Sequence, residues 1–246
     1  MSGPGRARPF LTAEWRYLVM LNYEIDPSVL VPLAPAGTVL DLWHDRALVS
    51  VVGFRFLNTR VLGLPVPLHR DFDEVNLRFY VRHTRPAGEA RRGVVFVREF
   101  VPRAAIASLA RLAYNEPYSA VPMRSTVPEV PVDAPGRLTY EWQADEAWHR
   151  LAATATGVPL VPALGSEAAF ITEHYWGYTR QRDGGTLEYQ VEHPRWRVWE
   201  VKDASFSGPA ASLYGPAFGE ILSAKPQSAF IAEGSEVKVH KGRKIA

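Results

Sequence analysis

The sequence predicts a mostly β (α+β) protein, and three observations carry that expectation. From Asp73 to Arg82 the residue types alternate without a break. Glu74, Asn76, Arg78, Tyr80 and Arg82 point one way, while Val75, Leu77, Phe79 and Val81 point the other, which is the period of a strand with one polar and one apolar face. The stretch Arg92 to Val101 is apolar on both faces, as a central strand is. Elsewhere short apolar runs are separated by Pro- and Gly-containing turn signals, and only two or three segments carry helical spacing.

Taken in order, Trp15 to Ile25 reads as a strand or a short amphipathic opening segment, after which Pro27, Pro32 and Pro35 interrupt regular structure. Val39 to Trp43 and Ala47 to Leu57 read as a hairpin around His44-Asp45-Arg46. Asp73 to Arg85 is the alternating strand, Pro86 to Glu89 a turn, and Arg92 to Val101 the central strand. Pro102 fits the first turn of a helix. Ile106, Leu109, Ala110 and Ala113 continue that helix to about Tyr114 at i, i+3, i+4, i+7 spacing. Val121 to Pro135 contains four prolines and is expected to be a long surface loop. Arg137 to Gln143 reads as a strand and Thr154 to Gly165 as loop. Ser166 can cap a short helix through about His174. Tyr175 to Gln181, Thr186 to His193 and Arg195 to Lys202 read as strands, with Asp183-Gly184-Gly185 as a hairpin turn. Ser228 to His240 closes the chain as a strand. The expected count is about nine or ten strands and two or three helices, in one domain over residues 10–240. Residues 1–9 are expected to be disordered, and 241–246 to be a solvated basic tail.

Composition narrows the function classes. The 246 residues are 47% hydrophobic, enough for a full core, and carry a net charge of only +2. Bulk charge therefore gives a nucleic-acid role no support. The chain has no cysteine, so disulfides, zinc–thiolate sites and cysteine nucleophiles are excluded. No apolar run is long enough to span a membrane as a helix. The Gly/Pro/Arg-rich Met1 to Pro9 lacks the apolar core of a signal peptide, so a cytoplasmic protein is expected. Arginine supplies 23 of the 28 basic residues, and the five lysines are Lys202, Lys225, Lys238, Lys241 and Lys244. Residues 1–201 thus offer no amine for imine chemistry, and arginine cannot replace one. No nucleophile-elbow, phosphate-loop or dinucleotide-loop pattern occurs.

Several stretches together resemble the YqjF-like family, an uncharacterised group. They are Gly53 to Phe56, Phe72 to Val81, Arg92 to Phe96, Ala110 to Tyr118, Ala169 to Tyr175 and Val191 to Trp196. Their order and spacing cover nearly the whole chain. Many members carry Leu-Pro-Tyr where this chain has Glu116-Pro117-Tyr118, which marks a divergent subgroup. The family is in turn similar to acetoacetate decarboxylase, and that resemblance implies a β-barrel or cone with a central pocket and a few external helices. In the decarboxylase a helix is followed by Gly-Tyr-Pro-Lys, whose lysine forms a Schiff base. With prolines aligned, Tyr118 stands at the lysine position, and a phenol forms no imine. The resemblance therefore implies a fold and not that activity.

The candidate catalytic residues are Glu74 and Tyr118, and the candidate substrate-binding residues are Asn76, Arg78, Asn115, Glu116 and His174. If the polar row of the alternating strand lines a lumen, Glu74 is placed as a general acid or base and Arg78 as a carboxylate clamp. The resemblance also implies a carboxylate at the Glu74 position. The competing reading is a solvated face with cross-strand ion pairs. Tyr114, Asn115, Glu116 and Tyr118 follow a helix on irregular backbone, where ligand contacts concentrate, or else form a turn packed by tyrosine edges. Glu173, His174 and Tyr175 are sequence neighbours and do not face one another. The histidines lack ligand spacing, so no metal and no cofactor is expected. His193 to Trp196 reads as a structural corner, and Arg98 with Glu99 as a buried ion pair. The expected function is a small-molecule-binding protein. An enzyme acting on a small anionic or keto-acid metabolite, without a Schiff-base lysine, is the further reading within that class. The alternatives are a non-catalytic binding or interaction module, or an oligomer assembled through Trp196 and Trp199.

Overall fold

The computed structural model describes residues 8–66, 70–129 and 132–245, excluding the side chains of Leu109, Ala110 and Leu112. The first half runs β1 (Leu11–Ile25), α1 (Pro27–Leu30), β2 (Val39–Leu40), β3 (Ala47–Val61), β4 (Leu64–Pro65), β5 (Phe72–Thr84), β6 (Ala90–Val101) and α2 (Ala104–Tyr114). There follow β7 (Tyr118–Ala120), β8 (Met123–Thr126), β9 (Arg137–Ala144), β10 (Ala147–Leu160), α3 (Glu167–Thr172), β11 (Trp176–Arg180) and β12 (Thr186–Glu192). The chain ends with β13 (Val198–Ser207), α4 (Ala210–Tyr214), α5 (Pro216–Ser223), β14 (Ser228–Val239) and β15 (Arg243–Lys244).

Strand pairing follows the order β12-β11-β6-β5-β3-β1-β14, and β12 pairs again with β14 at Val191 and Val239. The path therefore closes on itself as a ring of seven strands. From β14 the sheet continues outward through β13, β10, β9 and β8. Period two then sorts the side chains. Val75, Leu77 and Phe79 of β5 face outward into a core shared with Tyr140 and Trp142 of β9 and Leu151 of β10. Leu213, Phe218 and Leu222 of α4 and α5 close that same core. The apolar face of β5 is thus covered mainly by a second sheet layer, with α4 and α5 completing the cover.

The ring's inner face carries a second core, with Leu18, Met20, Phe54, Phe56, Phe72 and Tyr80 among its members. β1 enters it through an irregularity: Tyr17 has φ 55, and pairing with β3 shifts register between Arg16 and Val19. Trp15 and Leu18 consequently both reach the inner side.

Several sequence expectations are corrected. β2 pairs with β5, not with β3, so Val39 to Leu57 is no hairpin. A bridge between Trp43 and Arg46 encloses only the tight turn at His44 and Asp45. Pro102 lies just before the helix, whose N-cap is Arg103. The expected loop at 121–135 holds β8, which pairs with β9. The expected loop at 154–165 is largely β10, which runs to Leu160 and pairs with β13. α4 and α5 were not foreseen. The C-terminal segment is no free tail: β15 pairs with β12, and Arg243 donates to Glu188 Oε2 at 2.8 Å. Of the N-terminal segment, Met1 to Ala7 lie outside the described residues. Among the described residues no helix is long and apolar enough to cross a membrane.

Candidate functional site

The ring encloses a cavity of about 130 Å³, with Ile106 and Tyr114 of α2 and Ile171 and Thr172 of α3 also in its wall. Glu74, Asn76 and Arg78 line it from successive inward positions of β5, and all three are buried. The alternation that identified the strand thus places its polar row inside the ring. One strand spans a good length of the cavity, because the Cα atoms of Glu74 and Arg78 stand roughly 13 Å apart.

Glu99 joins them, contrary to its expected pairing with Arg98. The pairing of β5 with β6 slips between Leu77 and Arg78, so Arg78 opposes Phe96 while Asn76 opposes Glu99. This bulge reverses parity along β6. It puts both Phe96 and Glu99 on the inner face and turns Arg98 outward, where it donates to the Leu213 carbonyl at 3.0 Å.

Glu116 and Tyr118 arrive from the segment after α2. Asn115 ends that helix in the left-handed region at φ 57, which turns the following residues back toward the ring. β7 then pairs in parallel with β6, with Tyr118 beside Glu99. The Tyr118 hydroxyl donates to Glu74 Oε2 at 2.8 Å, and Asn76 Nδ2 donates to Glu74 Oε1 at 2.9 Å. Glu116 Oε1 accepts from Thr179 Oγ1 at 2.6 Å and from the Tyr189 hydroxyl at 2.8 Å. Gly177 makes the last contact possible: it pairs with Tyr189, and a Cβ on it would run into the tyrosine ring. Asn115 itself is not among the cavity-lining residues; its side chain donates to the Arg180 carbonyl at 2.9 Å.

Three buried carboxyl groups therefore meet at one end of the cavity. Burial pushes Glu74 up to about 7, against the opposing hydrogen bonds from Asn76 and Tyr118 and the nearby Arg78 charge. Burial likewise pushes Glu116 up to about 7, with Thr179 and Tyr189 opposing. Glu99 is raised well above the ordinary carboxylate value by burial and then by Glu116 and Glu74. Burial and the adjacent carboxylates raise the Tyr118 phenol, so it remains a donor.

Arg78 stands at the other end. Among the described residues no carboxylate lies within ion-pair distance of it, its Nε has no partner, and Nη2 only approaches Met20 Sδ at 3.8 Å. His174 lines the cavity near it and is held by Asp41, whose Oδ2 lies 3.1 Å from Nε2 and also accepts from Arg92 Nε at 2.6 Å. Burial lowers His174 to about 4, with Asp41 opposing. A neutral ring donating from Nε2 leaves Nδ1 as an acceptor, and that atom has no partner. His193 also lines the cavity and stacks on Trp196 with centroids 4.0 Å apart, so the expected corner is part of the wall. Burial lowers it to about 4 as well. Trp196 and Trp199 are both buried within the chain, so neither is available as an exposed anchor for a second copy.

Among the described residues no group of three or more His, Asp or Glu side chains is arranged to hold a metal ion. All five lysines are exposed and none lines the cavity, so the wall offers no amine for an imine. Sequence reasoning named Glu74, Asn76, Arg78, Glu116, Tyr118 and His174 among the cavity residues. It missed Glu99, Tyr189 and Asp41, and only the carboxyl and phenol chemistry of those residues could have flagged them.

Comparison with known proteins agrees with this architecture. No curated protein matches the chain. The crystal structure of acetoacetate decarboxylase from Legionella pneumophila subsp. pneumophila str. Philadelphia 1 is similar, with a TM-score of 0.67, 16% identity, and coverage of 100% of this chain and 92% of that chain. The enduracididine biosynthesis enzyme MppR complexed with pyruvate gives a TM-score of 0.66 at 14% identity, over 100% of this chain and 92% of that chain. An acetoacetate decarboxylase-like enzyme from Sphingomonas wittichii RW1 gives 0.63 at 13% identity, over 96% and 92%. These likenesses show the fold. The profile of the DUF2071 family, described as an uncharacterized conserved protein, matches residues 12–236, and the chain belongs to that family.

Proposed function

We propose that the chain binds a small carboxylate, a keto acid foremost, and moves a proton at that ligand without a covalent imine. The observation that carries this reading is Arg78: a buried guanidinium lining a cavity with, among the described residues, no protein carboxylate within ion-pair distance. The three glutamates do not take that role, because burial holds them toward the protonated form. With those protons in place the cavity is net positive and favours an anion. A ligand carboxylate accepts from the Arg78 fork. The rest of the ligand then extends along β5 toward Glu74, which is poised near neutrality as an acid or base while Tyr118 donates to it. The fold-level similarity to a protein complexed with pyruvate supports a ligand of this kind. Under this reading the protein is a single-domain cytoplasmic one with a small-molecule partner and no nucleic-acid or membrane role. A homo-oligomer remains compatible with it, on surfaces other than the Trp196–Trp199 segment.

The test is calorimetric titration of pyruvate and acetate into wild type and Arg78→Met, followed by proton NMR of pyruvate in D2O. The reading expects binding that weakens at least about 30-fold in the variant, since removing one partner of a desolvated charge pair costs 2 kcal/mol or more. It also expects wild-type-dependent exchange of the protons next to the ketone. Binding indifferent to Arg78 removes the reading. Binding without exchange leaves a non-catalytic binding module, the alternative reading.

A further inference from the structure

The cavity is chemically two-sided, and only one side is used by a ligand as small as pyruvate. Most of the polar groups come from β5, β6 and the segment after α2, with His174, Tyr189 and His193 adding theirs from elsewhere in the wall. The wall carried by β1 and β3 is aromatic: Trp15, Phe54 and Phe56 all line the cavity, and Trp196 stands beside them. Trp15 packs edge-on to Phe54 at 5.3 Å and to Phe56 at 5.7 Å, and Phe56 stacks on Phe72 at 4.4 Å. Ile106 and Ile171 cover the same space from the helices. Phe54, Phe56, Phe72 and Trp196 are each buried, so these rings are fixed parts of the wall. An acetate- or pyruvate-sized anion held at Arg78 leaves this wall facing trapped water, and enclosed apolar surface of that kind is what an apolar group displaces most favourably.

Register sets where such a group sits. Phe54 is paired with Glu74, and Val52 with Asn76. The aromatic wall therefore lies level with the glutamate end of β5, two inward positions away from Arg78. A ligand with its carboxylate at Arg78 passes Asn76 with its chain and reaches the aromatic wall with its far end. The volume of about 130 Å³ is on the order of a cavity that holds one benzene, and carboxylate, chain and apolar body share it, so the whole ligand is compact.

We infer that the natural ligand is a carboxylate with a compact apolar body, one six-membered ring or a branched alkyl group of similar size, separated from the carboxylate by a short chain. This rests on the assignment of Arg78 as the carboxylate clamp, and it departs from pyruvate, which has no such body. It also brings the chain atoms between carboxylate and ring past Asn76 to Glu74, the group that handles the proton.

Calorimetric titration with four probes tests the inference: propanoate, 3-phenylpropanoate, 4-methylpentanoate and neutral 3-phenylpropan-1-ol. The expected result is 3-phenylpropanoate and 4-methylpentanoate each at least about ten-fold tighter than propanoate, since each buried methylene-sized group contributes roughly four-fold before ordering costs. Ile106→Phe fills part of the space from a half-buried helix position and should weaken the two bulkier acids more than propanoate, shrinking that gap. If that variant does not fold, Ile106→Ala should instead extend tight binding to 3-(naphthyl)propanoate. Equal affinity for propanoate and the bulkier acids overturns the inference and leaves the carboxylate reading standing. The alcohol binding as tightly as its acid overturns the carboxylate assignment on which both rest. No binding by any probe overturns both.

Discussion

Glu74→Gln isolates the electrostatic state of the cavity, because it removes one ionisable group and keeps its shape. The Tyr118 hydroxyl retains a carbonyl oxygen to donate to. Asn76 can turn its amide, since its Oδ1 has no partner and can accept from the new NH2. In the wild type, burial raises Glu74 from 4.5 to about 7. The folded state therefore keeps a proton that the unfolded chain has released. The sign follows: stability is highest below about 4.5, and the cost of the buried acid grows as pH rises through about 7. At 1.36 kcal/mol per unit the full cost is roughly 3 kcal/mol, of which roughly 2 kcal/mol falls between about pH 5.5 and 8.5. His174 and His193, both lowered, oppose this trend below their ordinary value of 6.5. They are common to both proteins, so they cancel in the difference. Urea unfolding of both proteins at the two pH values is the assay. The variant should gain roughly 2 kcal/mol over wild type on going from pH 5.5 to 8.5, or about 4–8 °C in Tm for a chain of this size. A difference that does not change with pH would show that Glu74 titrates as a solvated acid. A relative loss at pH 8.5 would show that its charge is favourable inside the ring, and either result would refute the reasoning.

Three further substitutions separate the parts of the site. Tyr118→Phe removes a donor that holds Glu74 down, so the limb of the proton-exchange profile set by Glu74 should move up by about one pH unit; an unmoved profile would detach Tyr118 from Glu74. Gly177→Ala forces a Cβ against the Tyr189 ring and should lower stability by about 1–3 kcal/mol in thermal unfolding, with the Glu116 carboxyl titrating higher by NMR as its tyrosine donor is displaced. Asn115→Ala places a β-carbon residue without a polar side chain in the left-handed region and should cost about 1–2 kcal/mol, with pyruvate affinity measured by calorimetry unchanged, because its side chain binds the Arg180 carbonyl outside the cavity.

The legible parts of the fold were those fixed by local periodicity. β5 announced both its ends and its two faces, because its pairing with β3 runs in register from Phe72 to Phe79 and its own backbone keeps period two intact. The side on which its polar face lay was a question of ring closure, which depends on the β12–β14 contact and on no local pattern. Glu99 was misassigned for a specific reason. A strict alternation along β6 groups it with Val95 and Val97, and one bulge moves it to the side of Phe96. Arg98 and Glu99 then point to opposite faces, so the expected ion pair is geometrically excluded. Asn115 was read as a ligand contact because it sits among polar residues on irregular backbone, whereas its role is the left-handed turn that aims Glu116 and Tyr118. Thr179, Tyr189 and Asp41 reach the site from strands and loops more than sixty residues away from the groups they bond, and single-sequence spacing holds no trace of such pairings. The four prolines of 121–135 hid β8, whose four residues fall between the first two of them as part of an edge strand.

The most direct test of the central claim observes Arg78 itself. The arginine Nε–H resonance in a proton–nitrogen correlation spectrum, assigned by its disappearance in Arg78→Met, reports whether an anion reaches the guanidinium. Because Nε is buried without a partner, a bound carboxylate should shift that resonance progressively and to saturation as pyruvate or 3-phenylpropanoate is added. A ligand that binds by calorimetry while the Arg78 signal stays fixed would contradict the account, since the cavity would then hold its ligand by some group other than the one cation it encloses among the described residues.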